Sequence, residues 1–163
     1  NRGDNADNLI RAYGKAIGEA ISNKPEDMVV TIHMCRGNSR SSWIAEGGYE
    51  PVAEDMFAGV PVDGFFMEWE TDRAGDFEPL RFAPQDKIIV LGLISSKVGD
   101  LETKDELKRR VDEASKYVPI ENMCISPQCG FASTVEGNIL SEDDQWRKLE
   151  LVVEVAEEIW GSA

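Results

Sequence analysis

The stretch VTIHMCRGN, Val30 to Asn38, carries the only histidine of the chain, His33, and two residues later one of its three cysteines, Cys35. Imidazole nitrogen and thiolate sulfur both ligate borderline-soft divalent metals, and zinc takes them with carboxylate oxygen in a tetrahedral array. The groups that could complete such a set are Cys129 in SPQCG and a carboxylate, Glu68 or Glu70, at the end of VDGFFMEWE. Taken singly, these residues have plainer uses. A lone histidine near a core is more often a hydrogen-bonded structural residue, and a single cysteine a small buried hydrophobe. Cys124, inside an apolar run, reads as core in that sense. What sets the others apart is where the surrounding elements put them.

Hydrophobic periodicity supplies those elements. Leu9, Tyr13, Ala16, Ile17, Ala20 and Ile21 recur at helical spacing, and Pro25 closes that helix. DMVVTIHMC, Asp27 to Cys35, reads as a strand apolar on both faces, the pattern of a buried parallel sheet. A Gly/Ser-rich loop and a short helix around Pro51 to Ala58 lead to a second strand, Val62 to Glu70. TDRAGDFEPLRFAPQD is a loop with room for one helical turn, its Asp72, Arg73 and Asp76 reading as a salt-bridged loop and not as catalytic groups; a third strand follows, Lys87 to Ser95. Thr103 and Glu106 have capping-box spacing for a helix to Val118, with Leu107, Val111, Ala114 and Val118 as its buried stripe. Glu121 to Ser126 is a fourth strand, followed by a long loop, PQCGFASTVEGNIL. The last helix starts near Ser141, with Asp144 three residues on, and its expected buried face includes Trp146, Leu149, Val152, Val153, Ala156 and Ile159.

Strands alternating with helices predict βαβ units and a parallel sheet in one segment, residues 1–163, without internal repeat or linker. A doubly wound open sheet and part of a (β/α)8 barrel both fit; a whole barrel usually takes about 250 residues. In either, chemistry gathers at the C-terminal ends of the strands. Residues i and i+2 of a strand share a face, so His33 and Cys35 point the same way at that edge. Glu68 and Glu70 close the second strand, and Cys129 lies just past the fourth. One histidine, two cysteines and a carboxylate thereby converge on one rim.

Composition excludes other classes. With 31 acidic and 17 basic residues the net charge is −14, which opposes both nucleic acid and anionic membrane surfaces. No apolar run approaches the roughly 18 residues of a membrane span. The opening NRGDNADN is polar throughout and does not read as a signal peptide. It contains Arg-Gly-Asp at Arg2 to Asp4, an integrin-binding tripeptide that short sequences match by chance, beside a stretch that looks like a helix cap. Three cysteines, an odd number, do not suit a secreted disulfide framework and point to a reducing, cytoplasmic setting. The first residue is not Met, which suggests a start inside a longer protein.

The segments HMCRGN, FFMEWETDRAGDFEPLRF, LGLISSK, LKRRVDEASKYVP and ISPQCGFASTVEGN resemble the cobalamin-independent methionine synthase family, closest to its short, single-barrel, methionine synthase II-like members. The resemblance runs over nearly the whole chain and corresponds to the C-terminal half of the catalytic barrel. It implies an α/β fold made of about four βα units of a (β/α)8 TIM-type barrel. It also implies one catalytic zinc ion held by His33, Cys35, Glu68 and Cys129, with Glu70 the neighbouring rival for Glu68.

The family's reaction moves a methyl group from N5 of a folate to the sulfur of homocysteine, giving methionine. Attack at carbon needs a thiolate, and a free thiol with a pKa of about 8.5 supplies few at neutral pH. Metal coordination deprotonates it. Two cysteinates and a glutamate against a dication would keep the substrate sulfur electron-rich, so the cysteines serve as ligands and not as nucleophiles. Arg36, Gly37 and Asn38 are expected either to orient the ligands or to touch substrate, with a tight turn needing Gly37 as the equal alternative, and Ser126 either lines the substrate pocket or is a satisfied strand-end hydroxyl. The family's methionine synthases carry a histidine, thought to protonate the leaving folate, where this chain has Ser95, Ser96 and Lys97. The catalytic acid is therefore unassigned, and the expected 5-methyltetrahydrofolate-type donor is open to replacement. Zinc-dependent alkyl transfer between another donor and thiol is the first alternative, and an inactive metal-binding half-barrel the second. Because half a barrel leaves two open sheet edges, the chain is expected to be a fragment, a nicked product or one part of an assembly, closed by the rest of the barrel or a second copy.

Overall fold

A computed structural model describes residues 5–132 and 134–163; the tripeptide at Arg2 to Asp4 lies outside the described residues, as does Ser133. In chain order the elements are helix α1 (Ala6–Ile21), strand β1 (Thr31–Met34), the two-residue strands β2 (Asn38–Ser39) and β3 (Ser42–Trp43), α2 (Ala53–Gly59), β4 (Gly64–Glu68), β5 (Ile88–Ile94), α3 (Lys104–Ala114), β6 (Met123–Pro127) and α4 (Glu142–Trp160). Short 3-10 turns at Asp72–Ala74 and Glu78–Phe82 occupy the loop where one helical turn was expected. The main sheet is parallel with order β1-β4-β5-β6, so each strand lies beside the next one expected from the sequence. β2 and β3 form a separate antiparallel hairpin directly after the His33–Cys35 segment.

Strand alternation sorts the side chains into two unlike faces. Phe65, Met67, Ile89, Leu91, Met123 and Ile125 are buried and share one core with Met56 and Phe57 of α2, Leu107 and Val111 of α3, and Leu151 and Val155 of α4. Burial of each such side chain contributes about 1.5–3 kcal/mol. On the opposite face Phe66 is 37% exposed and Ile88 38% exposed. His33 and Cys124 are exposed there as well. The sheet is thus helix-covered on one side and open on the other, although its strands are apolar on both. Cys124 belongs to the open face: it sits one residue out of phase with Met123 and Ile125, so the expectation of a core cysteine is corrected.

The helix caps follow their sequence signals unevenly. Ser141 and Asp144 form a full reciprocal capping box on α4. At α3, Thr103 accepts the Glu106 N–H, but the Glu106 carboxylate is engaged by Arg109. The expected buried face of α4 also needs correction. Its fully buried positions are Lys148, Leu151 and Val155, with Val152, Ala156 and Ile159 partly buried, while Trp146 and Val153 are exposed. Lys148 takes the buried place because its ammonium reaches the Asp100 carbonyl at 2.6 Å and Glu102 at 3.1 Å.

Between α3 and α4, Glu158 receives both Lys104, at 2.8 Å, and Lys108. These two ammonium groups pull its carboxyl down to about 2. A carboxyl lowered on folding stabilises above its unfolded pKa and loses that contribution as pH falls through the folded value. Glu158→Gln should therefore lower the melting temperature at pH 7. The difference from wild type should narrow below pH about 4.3, vanish near the folded value, and shrink in high salt. Parallel thermal melts across pH measure this.

Candidate metal centre

The register of the sheet builds the site. His33 pairs with Phe66, Glu68 with Gly92, and Gly92 with Ser126, so Glu68, Gly92 and Ser126 stand at one level along the C-terminal edge of three strands. Gly92 is required there: a Cβ would come within 2.8 Å of the Met67 carbonyl oxygen. Past β6, Cys129 adopts φ = 39°, a left-handed backbone unusual for a side-chain-bearing residue, and turns its sulfur back toward the sheet. Its Sγ lies 2.6 Å from Glu68 Oε1 and 3.3 Å from Cys35 Sγ. One ligand atom from each of His33, Cys35, Glu68 and Cys129 falls within 4.8 Å of all the others. A tetrahedral zinc site with bonds of about 2.0–2.3 Å holds its ligands about 3.3–3.8 Å apart. The donor set, one imidazole, two sulfurs and a carboxylate oxygen, can hold a metal ion.

Electrostatics favours a cation at this point. Burial pushes the Cys129 thiol well above the ordinary thiol range, and its hydrogen bond to Glu68 and the neighbouring Cys35 push it the same way. Burial also works to raise Glu68, but the Cys129 thiol, Lys97 and Arg36 outweigh it and hold the carboxyl below its usual value. The proton thus rests on sulfur and points at a carboxylate. A divalent ion in the same place would satisfy both groups without it.

A tight cradle fixes the carboxylate. Glu68 is 1% exposed, and its backbone N–H donates to the Tyr49 hydroxyl at 2.8 Å. That hydroxyl donates to the Met34 carbonyl and accepts from Arg36 at 3.2 Å. Arg36 lies over the Tyr49 ring at 4.2 Å, donates to the Glu68 carbonyl at 3.1 Å and pairs with Glu68 Oε2 at 3.5 Å. Tyr49, whose phenol burial pushes upward, joins the strand bearing His33 to the strand bearing Glu68. Nothing local in the sequence around Tyr49 signals this role, because both of its strand partners are distant in the chain. Gly37, at φ = 85°, makes the turn after Cys35 and donates its N–H to that sulfur at 3.1 Å.

A cavity of about 300 Å³ opens beside the cluster, lined among others by His33, Phe66, Glu68, Gly92, Ser126 and Cys129. Of the residues expected near substrate, Ser126 stands on its wall, with its hydroxyl donating to the Pro127 carbonyl. Arg36 is committed to the Glu68 cradle. Asn38 is buried and donates to Asn138 at 3.1 Å, tying the hairpin to the loop after Cys129. Glu70 lies outside the cluster: its carboxylate takes Lys97 at 3.3 Å, Arg73 at 3.5 Å and the Trp43 indole N–H at 3.2 Å. Arg73 also stacks on Trp43, while Asp76 caps the Glu78 N–H. None of Ser95, Ser96 and Lys97 is among the residues lining the cavity.

Fold and site together define a parallel α/β protein with a thiolate-rich group, able to hold a metal, at the C-terminal edge of its sheet. No family model matches the chain. Two Bacillus subtilis proteins of uncharacterised function, YxjG and YxjH, are 50% and 48% identical to it over 159 residues. That alignment takes in 97% of this chain and 42% of each relative, so the chain spans less than half their length. A crystal structure from Listeria monocytogenes, provisionally assigned as a vitamin-B12-independent methionine synthase, is 40% identical, with a TM-score of 0.76 over 99% of this chain and 44% of that one. A B12-independent methionine synthase from a Shewanella species, solved with selenomethionine, shares the fold at 19% identity, with a TM-score of 0.73 over 94% of this chain and 45% of that one. The 40% identity to the Listeria protein bears out the resemblance to the cobalamin-independent methionine synthase family, the Shewanella structure adds the fold alone, and matched shares of 42–45% are consistent with half of such a protein.

Removing the Tyr49 hydroxyl tests the cradle. Tyr49→Phe leaves the buried Glu68 N–H without its acceptor, a loss of about 1–3 kcal/mol. Chemical denaturation should show that loss, with metal affinity falling alongside it; an unchanged midpoint would mean the hydroxyl is not needed to hold the two strands.

Proposed function

We propose that this chain is the C-terminal, metal-bearing half of a (β/α)8 barrel that transfers a methyl group to the thiol of homocysteine from a methylated folate. The observation that carries the reading is the approach of four ligand atoms to within 4.8 Å beside an open cavity. The 40% identity to the Listeria protein supports the reaction class. The barrel reading is supported by the layering. Helices cover one sheet face only, and the outer helices α1 and α4 carry exposed Tyr13, at 61%, and Trp146, at 57%, as expected where a helical ring continues on both sides. In this reading residues 1–163 are one segment of the barrel, and the missing strands come from the rest of the same protein, with a second copy as the other route to closure.

In the proposed site His33, Cys35, Glu68 and Cys129 hold zinc, whose combination of imidazole, thiolate and carboxylate ligands they match. When bound, the ion lowers the pKa of a coordinated substrate thiol so that it is a thiolate at neutral pH. The chain's own contribution is geometric and electrostatic. Two thiolates and a carboxylate outnumber a dication's charge, so the incoming sulfur stays nucleophilic. Arg36 and Tyr49 keep Glu68 oriented, and Phe66, Gly92 and Ser126 wall the space in which a small thiol would sit. Both ligand cysteines require a reducing compartment such as the cytoplasm.

One observation favours a second reading of the same chemistry. The segment from Ser95 to Lys97 presents no acid to the cavity: Ser95 Oγ accepts the Lys97 N–H, and the Lys97 ammonium is buried against Glu70 and Gln128. A donor whose leaving group needs no protonation from this loop would suit that arrangement, so another alkyl donor or thiol acceptor is the alternative.

The test is metal stoichiometry and X-ray absorption on the full-length protein. One zinc per chain is expected, lost in Cys35→Ser or Cys129→Ser, with one added sulfur neighbour when homocysteine is supplied. Absence of zinc, or no added sulfur, defeats the reading. A panel of methyl donors and thiols assayed for turnover then separates the two versions.

A further inference from the structure

Lys97 is among the most buried charges in the described chain. Its side chain is 4% exposed and meets Glu70, whose side chain is 2% exposed, at 3.3 Å. Its ammonium also meets the side-chain carbonyl of Gln128, itself 1% exposed. A buried ammonium is tolerated only when such partners replace its hydration. The identity of those partners is informative. Glu70 lies two residues after Glu68, and Gln128 immediately precedes Cys129. The Glu70 carboxylate also accepts the indole N–H of Trp43, in the hairpin that follows Cys35. One buried cation therefore joins the three segments that deliver Cys35, Glu68 and Cys129, while standing outside the cavity they line.

Cys129 gives this linkage a task. Its left-handed φ of 39° costs about 1–2 kcal/mol for a residue with a side chain and persists only where neighbours enforce it. Gln128 is fixed on both sides, its backbone N–H to the Ile94 carbonyl at 2.7 Å and its side chain to Lys97. Resting on the metal-site reading above, we infer that Lys97 is a positioning residue: by clamping Glu70 and Gln128 together it sets the spacing of the carboxylate and thiolate ligands before any ion arrives.

The test uses cobalt(II) as a spectroscopic probe in the full-length protein, with Lys97→Met, which keeps the length of the stem without its charge, and Lys104→Met as a surface control. Lys97→Met should fold, bind cobalt about 10–100-fold more weakly, and show a weakened thiolate-to-cobalt charge-transfer band per bound ion. Lys104→Met should change neither. General destabilisation would lower the melting temperature yet leave the spectrum of the bound ion as it was, so the band separates positioning from mere stability. Wild-type affinity and spectrum in folded Lys97→Met overturn the inference. Should that variant not fold, Glu70→Gln, which keeps the shape but removes the counter-charge, is read the same way: an altered band supports the clamp and an unaltered one overturns it. If the wild-type protein shows no thiolate band with cobalt, the metal-site reading itself fails and the inference falls with it.

Discussion

Two sulfurs 3.3 Å apart, with a carboxylate oxygen 2.6 Å from one of them, are a mutual constraint that the rest of the molecule has to satisfy. Three groups that can each carry negative charge do not gather at such distances without either protons or a cation between them. Most of the local structure can be understood as holding them there. Tyr49 and Arg36 fix the carboxylate from behind, Gly37 turns the chain so that its N–H meets the Cys35 sulfur, and the strained turn at Cys129 brings the second sulfur back over the strand ends.

The parallel sheet makes this arrangement possible because it aligns strand ends from distant parts of the sequence. Neighbouring register puts Glu68, Gly92 and Ser126 side by side, and the glycine keeps the middle of the row open. Hydrophobic burial is spent almost entirely on the other face, against α2, α3 and α4. Stability and chemistry are therefore separated by strand parity. Odd-numbered β4 positions such as Phe65 and Met67 hold the helices, and even-numbered ones such as Phe66 and Glu68 face the cavity side.

Much of this was legible in the sequence because it depends on local periodicity. The order of helices and strands, their parallel arrangement and the placement of His33, Cys35, Cys129 and a carboxylate, Glu68 or Glu70, at strand ends follow from apolar spacing and the period-two rule, while the choice of Glu68 rests on the family resemblance. The readings that failed depended on long-range packing. An apolar position such as Cys124 looks like core until one knows that helices cover only one face. The stripe through Trp146 and Val153 looks like the buried side of α4 until Lys148 is seen to reach Asp100 and Glu102. Tyr49, Lys97 and Gln128 were invisible as site residues for the same reason. Their partners lie far away in the chain, and a buried lysine runs against the usual expectation from composition.

The buried charges also fix what kind of centre this edge can be. Arg36 lies against Glu68 and Lys97 against Glu70, so each buried carboxylate has a buried cation beside it. These pairs offset part of the cost of burying the carboxylates, and neither Arg36 nor Lys97 is among the residues lining the cavity. Among the described residues the sulfurs receive no such partner: their polar contacts there are with each other, with Glu68 and with one backbone N–H. A thiolate at either position would have no such cation beside it among the described residues, at an edge where a cavity of about 300 Å³ opens, in a chain of net charge −14. An activated-cysteine nucleophile would need the opposite, a nearby cation to favour its thiolate. At Cys129 burial and the hydrogen bond to Glu68 push the thiol above the ordinary thiol range instead, which disfavours that role.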